Sequence, residues 1–491
     1  MKNSYLFVAV LVVMMTSSCK KYLDINKNPN AAERVEADLL FVTSTVQYAT
    51  KRTDGDLWIP MALAGQTVAS GGDNEESWMS GYEEQYVFDP LIYGNTWSQL
   101  YTVVGVNLRQ GITLSESAIP VNNNAAAQCK VLLAMDMYDL ATIYGDIPFS
   151  EALKTEVLYP KFDAQQQVFE GILHLLDEAL AQFDASSPLK ISTNDLFYSG
   201  DIAKWMKLAR SVKLRTLMLM VDKDPSKASA IGQLVTEGEM IGSADDNAAI
   251  AFPDVPGRQN PKFAFVNQSF GTYPNGDPLN PFFAAKRTVD FMNGMNDPRL
   301  PYFFIKPEGQ PDFAGIENGE TGDDAIHSRL SCLKLQRADA PEYFFTSQEQ
   351  LFFEAEVYAR GLGVTADLAT ADARLRSAAM ASAKLYGASD NEAEGFGNVL
   401  PELSTLGAVE ATRYIQMHHW VDEMDRPLDA FTQWRRSGPE GEETPLLTLP
   451  LGAPSGGLFR RYEYPQVEEI LANPNAPKER IQYDVKMWFD L

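Results

Sequence analysis

Residues 163–183 of the chain read DAQQQVFEGILHLLDEALAQF, and this stretch indicates the fold most directly. Its apolar residues recur at spacings of three, four and seven positions, namely Val168, Ile172, Leu175, Leu176, Ala179, Leu180 and Phe183. Because an α-helix turns once every 3.6 residues, this spacing places them on one face of an amphipathic helix. The stretch therefore predicts a helix over 163–183 that packs along one apolar stripe.

Similar patterns predict six further helices, over residues 97–117, 125–144, 202–221, 345–360, 366–386 and 409–422. A helix with one apolar stripe must cover it against a neighbour, so we expect these helices to pack in successive pairs. No repeat of about 34 residues is visible in the sequence, so any repetition would be structural. We predict a mainly α fold built on a scaffold of tetratricopeptide-like helical pairs, with little β-structure.

Three long stretches rich in Gly, Pro, Asn and Asp interrupt the helical pattern, near residues 65–90, 245–322 and 438–464. They are longer than ordinary connections, and their aromatic content argues against disorder. We expect them to form a large irregular lobe on the helical scaffold. Because no linker divides the chain, we predict a single domain over residues 19–491.

The composition excludes several classes of function. The 491 residues include 41 Lys and Arg against 66 Asp and Glu, a net charge of -25, so no basic field is available to hold nucleic acid. Three cysteines cannot form a disulfide framework, and Cys129 and Cys332 are expected to be small buried residues. The sequence contains no Walker, dinucleotide or nucleophile-elbow motif, so we expect no cofactor, and phosphoryl, hydride and acyl transfer lose their usual sequence support.

The histidines and one acidic cluster also predict no metal site. None of the four histidines belongs to a zinc-peptidase motif, and the adjacent His418 and His419 point to different sides of a predicted helix. The acidic residues Asp422, Glu423 and Asp425 are typical of a solvated helix end. Glycoside hydrolysis needs only two carboxylates at a suitable separation, and 66 acids supply so many candidate pairs that the sequence does not test it.

The N-terminus carries a targeting signal. Lys2 precedes an apolar run over residues 5–15 and the small residues Thr16, Ser17 and Ser18, which together indicate a signal peptide over residues 1–18. Cys19 follows directly, and the arrangement resembles a bacterial lipobox, in which this cysteine is acylated. The alternative is ordinary secretion, with Cys19 inside a discarded peptide. Acylation would anchor the chain to the membrane without a spanning helix.

Several motifs, in order along the chain, carry a family resemblance. Residues 143–153, IYGDIPFSEAL, predict a helix that ends at Gly145 and cannot restart because of Pro148. This motif resembles one of the SusD/RagB family of outer-membrane nutrient-binding lipoproteins. The other motifs similar to that family are residues 19–30, the set Trp205, Lys207, Leu208, Ser211, Leu214 and Arg215, residues 350–356 and 434–438, and Arg461, Tyr464, Pro465 and Glu468.

The resemblance implies a non-catalytic, surface-exposed lipoprotein of the outer membrane. It implies that the chain binds an oligosaccharide and passes it to a SusC-like TonB-dependent transporter. A peptide ligand is an alternative within the same family, and a lipid-anchored glycosidase or lyase is an alternative outside it. The motif residues themselves are expected to be structural, with arginines tying loops to helix ends.

Two segments of the irregular stretches carry the candidate ligand contacts. Sugars are bound by flat aromatic faces together with planar polar groups, and family members are similar in placing such residues on loops. The first segment contains Trp78, Tyr82, Asp73 and Asn74, and the second contains Tyr273, Asn275 and Asp277. Helix amphipathicity does not explain aromatics on glycine-flanked polar segments, so a binding role is expected. Trp58 and Trp97 lie near or within predicted helices and are expected in the core.

Replacement of Cys19 by alanine should abolish acylation, because the thiol is the acceptor of the lipid. In the native host grown with radiolabelled palmitate, the wild-type chain and a Cys129→Ala control should carry label, and Cys19→Ala should carry none. Label retained by the Cys19→Ala protein would contradict the lipobox assignment.

Overall fold

The computed structural model describes residues 35–71, 85–154, 156–270, 280–454 and 456–491, and most of them are helical. The α-helices are α1 (Ala37–Thr53), α2 (Trp58–Ala64), α3 (Pro90–Ser98), α4 (Val106–Glu116), α5 (Asn123–Tyr144), α6 (Gln165–Gln182), α7 (Ile202–Met220), α8 (Ala228–Glu237), α9 (Pro261–Ser269), α10 (Lys286–Gly294), α11 (Leu300–Phe303), α12 (Ser347–Arg360), α13 (Leu368–Leu385), α14 (Asp390–Val399), α15 (Ala408–Asp422), α16 (Pro427–Arg436) and α17 (Glu468–Leu471). The mainly α prediction is confirmed.

The strands are short and form three small antiparallel sheets. They are β1 (Val68–Ala69), β2 (Ile147–Pro148), β3 (Phe162–Asp163), β4 (Ala248–Ile250), β5 (Phe283–Ala284), β6 (Phe304–Ile305), β7 (Arg329–Leu330) and β8 (Glu342–Phe345). One sheet has four strands in the order β1-β5-β7-β6, while β2 pairs with β3 and β4 pairs with β8.

The seven helices predicted from sequence are present, six of them with ends within two residues of the prediction. The exception is the stretch over 97–117, where a π-helix, Gln99–Gly105, joins α3 to α4. The predicted irregular stretch 245–322 also contains α9, α10 and α11. These helices have at most nine residues, too few for the apolar period to be visible in the sequence.

Successive helices pack against each other, and α5 lies at the centre of the first group. Helices α1, α4, α5, α6 and α7 form one series, and α12, α13, α14 and α15 form a second with its own apolar core. Every residue of α5 from Asn124 to Tyr144 is buried. Most of its polar side chains are paired, as where Lys130 bonds Glu178 at 2.9 Å, but the carboxylate of Asp136 has no hydrogen-bond partner within the described part of the chain.

The end of α5 confirms the predicted helix stop and the predicted role of the motif arginines. Gly145 has φ +87°, and a Cβ there would lie 2.8 Å from an Arg461 nitrogen. Arg461 donates to the Tyr144 carbonyl. Arg435 donates to the carbonyl of Thr142 at 2.6 Å. The arginines therefore satisfy carbonyls that the last turn of a helix leaves unpaired.

Buried ion pairs connect the helical groups. Arg52, at the end of α1, bonds Asp139 of α5 at 2.6 Å, Asp429 of α16 at 2.5 Å and Glu342 of β8 at 3.2 Å. Each of these four side chains is at most 6% exposed. Because an unpaired charge is costly to bury, the position of Arg52 fixes three distant elements relative to one another.

The acidic cluster after α15 is not a solvated helix end, and that prediction is wrong. Asp422 and Glu423 are buried, and Asp425 is half-buried. Arg426 bonds Asp422 at 2.6 Å and Glu349 of α12 at 2.9 Å. The chain turns directly into α16, so Asp422 and Asp425 fold inwards onto Arg426, and Glu423 lies beside His419.

Other expectations about the core are confirmed. Trp58 and Trp97 are buried, as are Cys129 and Cys332. His418 and His419 contact different partners, since His418 packs on Tyr414 and His419 packs against Phe352. Within the described ranges, no helix has the length and apolar character needed to cross a membrane.

Glu356 of α12 gives the scaffold a measurable dependence on pH. Burial alone would raise its pKa, but the guanidinium groups of Arg436 and Arg360 lower it from 4.5 to about 2. A carboxylate with a lowered pKa stabilises the folded state above its unfolded pKa, and this stabilisation is lost as the pH falls. The shift corresponds to about 3 kcal/mol.

We expect Glu356→Gln to be less stable than the wild type at pH 6, and the difference to shrink as the pH falls from 4.5 towards 2. Urea unfolding across that range measures the difference. Glu394→Gln, at an exposed glutamate of α14, is the matched control and should change stability little at any pH. A constant difference between wild type and Glu356→Gln would contradict the assignment.

Candidate ligand-binding site

The predicted ligand residues lie outside the described residues. Asp73, Asn74, Trp78 and Tyr82 belong to residues 72–84, and Tyr273, Asn275 and Asp277 belong to residues 271–279. Cys19 also lies outside them. The structure describes the segments on either side of both stretches, and these segments show where each stretch joins the scaffold.

The two stretches join the same sheet, although they are far apart in the sequence. Strand β1 immediately precedes residues 72–84, and β5 closely follows residues 271–279. The strands pair antiparallel, with Val68 opposite Ala284 and Ala69 opposite Phe283. The strand that precedes the first stretch and the strand that follows the second are therefore neighbours on one β-ladder.

The ring of Phe283 packs between Gly71 and Gly322. A Cβ on Gly71 would lie 2.3 Å from the Phe283 ring, and one on Gly322 would lie 2.4 Å from it. Gly322 also donates its N–H to the Gly71 carbonyl at 2.7 Å. On the ring, the guanidinium of Arg329 lies 3.9 Å from the centroid. Two glycines thus allow the backbone to close on an aromatic side chain.

The residues on either side of 271–279 contact Arg329 and an aromatic cluster. Arg329 donates to the carbonyl of Asn280 at 2.7 Å. Phe270, just before the stretch, packs on Phe265 with ring centroids 5.6 Å apart. Phe265 and Phe282 both pack edge-on against Trp58, at 6.3 and 5.1 Å. Both sides of the stretch therefore contact one cluster around Trp58.

Gln85, which directly follows residues 72–84, lies next to a segment that bonds to the sheet through Asn318. The amide of Gln85 lies 2.5 Å from the position of a Cβ on Gly452. Next to Gly452, Leu451 donates its N–H to the carbonyl of Asn318 at 3.0 Å. The side chain of Asn318 in turn donates to the carbonyl of Val68 in β1, at 2.9 Å.

We call residues 66–71, 280–285, 316–330 and 448–452 the loop base. Each of the three irregular stretches predicted from sequence contributes to it, and Gln66 adds a bond to the Thr448 carbonyl at 2.5 Å. This convergence is the feature that sequence reasoning missed. The strands involved have two residues each, too few for a recognisable alternating pattern.

The charged groups of the loop base position the chain. Arg329 is buried and pairs with Asp324 as well as stacking on Phe283. At the start of α10, a hydrogen bond to Asp290 raises the pKa of Lys286. Because these groups are already engaged, the loop base can present segments to a ligand, while aromatic and polar contacts would come from the segments that it holds.

Two grooves occupy other parts of the described surface. One of about 560 Å³ is lined by Tyr93, Pro465, Leu471 and neighbouring residues, and one of about 660 Å³ by Arg413, Tyr414, Leu446 and neighbouring residues. Neither is lined by a residue of the loop base. We take the loop base as the candidate site because the predicted aromatic platforms lie on the stretches that join it.

Comparison with known proteins gives one family and many similar folds. The SusD-like family model, described as starch-binding and associating with the outer membrane, matches residues 64–469. No curated protein matches the chain.

Three solved structures illustrate the similarity. A chitin-binding protein is 22% identical, with a TM-score of 0.75 over 92% of this chain and 99% of that one. A SusD/RagB family protein from Bacteroides thetaiotaomicron VPI-5482 is 20% identical, with a TM-score of 0.72 over 93% and 99%. A chitin-binding SusD homolog from Flavobacterium johnsoniae is 18% identical, with a TM-score of 0.70 over 93% and 97%. At these identities the similarity establishes the fold.

The packing around Phe283 predicts that Gly322→Ala destabilises the protein. The new methyl group would overlap a ring that Arg329 and Gly71 hold in place, which costs about 1–3 kcal/mol in well-packed surroundings. Gly294→Ala is the matched control, because nothing lies within 4 Å of a Cβ at that position. Chemical denaturation should show a loss for Gly322→Ala and none for Gly294→Ala, and equal stability of the two variants would contradict the packing.

Proposed function

The chain belongs to the SusD-like family, described as starch-binding and associating with the outer membrane, and from this membership we propose that it is a cell-surface lipoprotein that captures an oligosaccharide. It holds the ligand without turnover and passes it to a SusC-like TonB-dependent transporter. Acylated Cys19 anchors it in the outer membrane.

The convergence at the loop base is the observation that supports a binding site here. Residues 72–84 and 271–279 together bring two tyrosines and a tryptophan, with Asp and Asn side chains beside them. An extended sugar needs aromatic surface and planar hydrogen-bonding groups from more than one segment. Segments that join the scaffold at one β-ladder can supply both to the same ligand.

An oligosaccharide is favoured as ligand over other small molecules by the family description and by similar structures. Two of the similar structures are named chitin-binding. The net charge of -25 also suits a neutral ligand better than an acidic one, because a field of the same sign repels anions.

Transfer to a transporter requires that the chain forms a complex in the membrane. We expect the protein, extracted from the native outer membrane in mild detergent without crosslinking, to copurify with a large β-barrel protein. A chain that is purified alone under these conditions would argue against the transfer step, while ligand binding would be unaffected.

Replacement of the aromatic platforms should remove ligand binding. Calorimetry against chito- and malto-oligosaccharides should show that Trp78→Ala and Tyr273→Ala each bind at least about tenfold more weakly, since buried aromatic anchors carry much of such affinities. Tyr159→Ala is the control, because Tyr159 is 44% exposed and lies in neither stretch. Its affinity should equal that of the wild type.

Other outcomes of the same experiment distinguish the alternatives. Binding to a peptide panel with no binding to any glycan would replace the oligosaccharide with a peptide ligand. Release of shorter sugars by the wild-type chain, abolished by one Asp or Glu substitution, would identify a hydrolase or lyase instead.

A further inference from the structure

Three buried side chains from separate parts of the scaffold converge next to α16. They are Glu349 of α12, His419 of α15 and Glu423 of the 3-10 turn Glu423–Asp425, and each is at most 2% exposed. One donor atom from each lies within 4.8 Å of the others. A histidine nitrogen and two carboxylate oxygens are a donor set that suits a divalent transition metal such as zinc.

His419 and Glu423 approach each other without forming a hydrogen bond. Nε2 of His419 lies 3.2 Å from Oε1 of Glu423. His419 Nε2 and Glu423 Oε2 also have no other hydrogen-bond partner within the described part of the chain. Two ligand atoms that each lie about 2.0–2.1 Å from one tetrahedral ion are separated by roughly 3.3 Å. The observed separation of 3.2 Å is close to this value.

The charges around this group do not balance. The surrounding buried ion pairs contain seven carboxylates, namely Asp139, Glu342, Glu349, Glu356, Asp422, Glu423 and Asp429. They contain five cations, namely Arg52, Arg215, Lys262, Arg426 and Arg436. The half-buried Asp222, Arg360 and Asp425 lie at the margin. Uncompensated buried carboxylates are costly, so the excess of two negative charges favours a divalent cation.

A small cavity adjoins two of the three side chains, Glu349 and Glu423. Its volume is about 10 Å³, about what one water molecule needs, and Glu349, Glu423 and Gln433 are among its lining residues. Nε2 of Gln433 also has no partner among the described residues. A zinc ion with three protein ligands takes a fourth from water, and this cavity, which Arg215 and Arg436 also line, has room for one water beside Glu349 and Glu423.

We propose that Glu349, His419 and Glu423 bind one divalent transition-metal ion, of which zinc suits the donors best, and that the ion stabilises the fold. It would join α12, α15 and the turn into α16. Arg215 and Arg426 donate to opposite oxygens of Glu349, at 2.7 and 2.9 Å, and so fix the orientation of that carboxylate. Because the site is buried, the chain would acquire the ion while folding.

The sequence predicted no metal site, and the structure shows why the pattern was not visible. His419 and Glu423 are four residues apart, but the third ligand comes from a different helix. In the sequence the acidic residues after His419 resemble a solvated helix end, so the burial of Glu423 was not predicted.

The metal content of the purified chain tests the proposal. The full mature chain is produced in medium supplemented with zinc chloride, dialysed without chelator and analysed by plasma mass spectrometry. We expect about one zinc per chain. Diffraction at the zinc absorption edge should place one anomalous peak between Glu349, His419 and Glu423.

A neighbouring histidine supplies the matched control. His418 is buried on the same helix, but its ring packs among Tyr414, Phe291 and Phe396. His418→Gln should keep its zinc, whereas His419→Gln and Glu423→Gln should bind it more than about tenfold less tightly, with folding checked by circular dichroism.

Two results would overturn the proposal. One is a wild-type chain with less than a tenth of an equivalent of zinc, or with anomalous peaks only at other places. Protonation of carboxyl groups would then account for the excess negative charge. The other is equal zinc in wild type, His418→Gln and His419→Gln. If the variants fail to fold, the wild-type zinc content and the diffraction peak decide the question.

Discussion

The architecture depends on the pairing of buried carboxylates with a limited number of guanidinium groups. Arg52 bonds one carboxylate from each of α5, β8 and α16, which lie 87, 290 and 377 residues further along the chain. Tyr48 donates a further bond to Asp139 at 2.6 Å. Removal of one member of a buried pair costs about 3–5 kcal/mol, because the other charge is left uncompensated. Such pairs therefore make one arrangement of the helices much lower in free energy than other arrangements of the same helices.

The helices were predictable from sequence, and the contacts between them were not. Periodicity is local, so the stripe that includes Ile172 and Leu176 reports a helix without reference to the rest of the chain. The Gly145 stop was predictable for the same reason. The burial of Asp422 and Glu423 was not, because it depends on Arg426 and on a partner in α12. The residues that form the loop base were visible only as three irregular stretches, and their convergence requires the folded chain. The ligand contacts of Trp78 and Tyr273 stay predictions.

Several contacts within the loop base are made through main-chain groups and glycine, in addition to the side-chain contact between Arg329 and Phe283. Gly322 to Gly71, Leu451 to Asn318 and Asn318 to Val68 all include a main-chain group. Such contacts are insensitive to the side chains of the segments that they hold, so residues 72–84 and 271–279 could change composition without disturbing the sheet. This separation is compatible with similar folds at 18–22% identity, where binding residues can diverge on a common scaffold.

Tyrosines near the C-terminus bond to carbonyls much earlier in the chain, and this affects how the chain folds during synthesis. Tyr462 donates to the carbonyl of Asp56, which lies 406 residues earlier, and Tyr464 donates to the carbonyl of Asp146. At a ribosomal rate of about 5–20 residues per second, the first helices wait roughly 20–80 s for these partners. During that interval the carbonyls of Asp56 and Asp146 lack the tyrosine donors that they have in the folded chain. The C-terminal segment thus completes the contacts of the N-terminal helices, and the scaffold reaches its native arrangement only when nearly the whole chain is available.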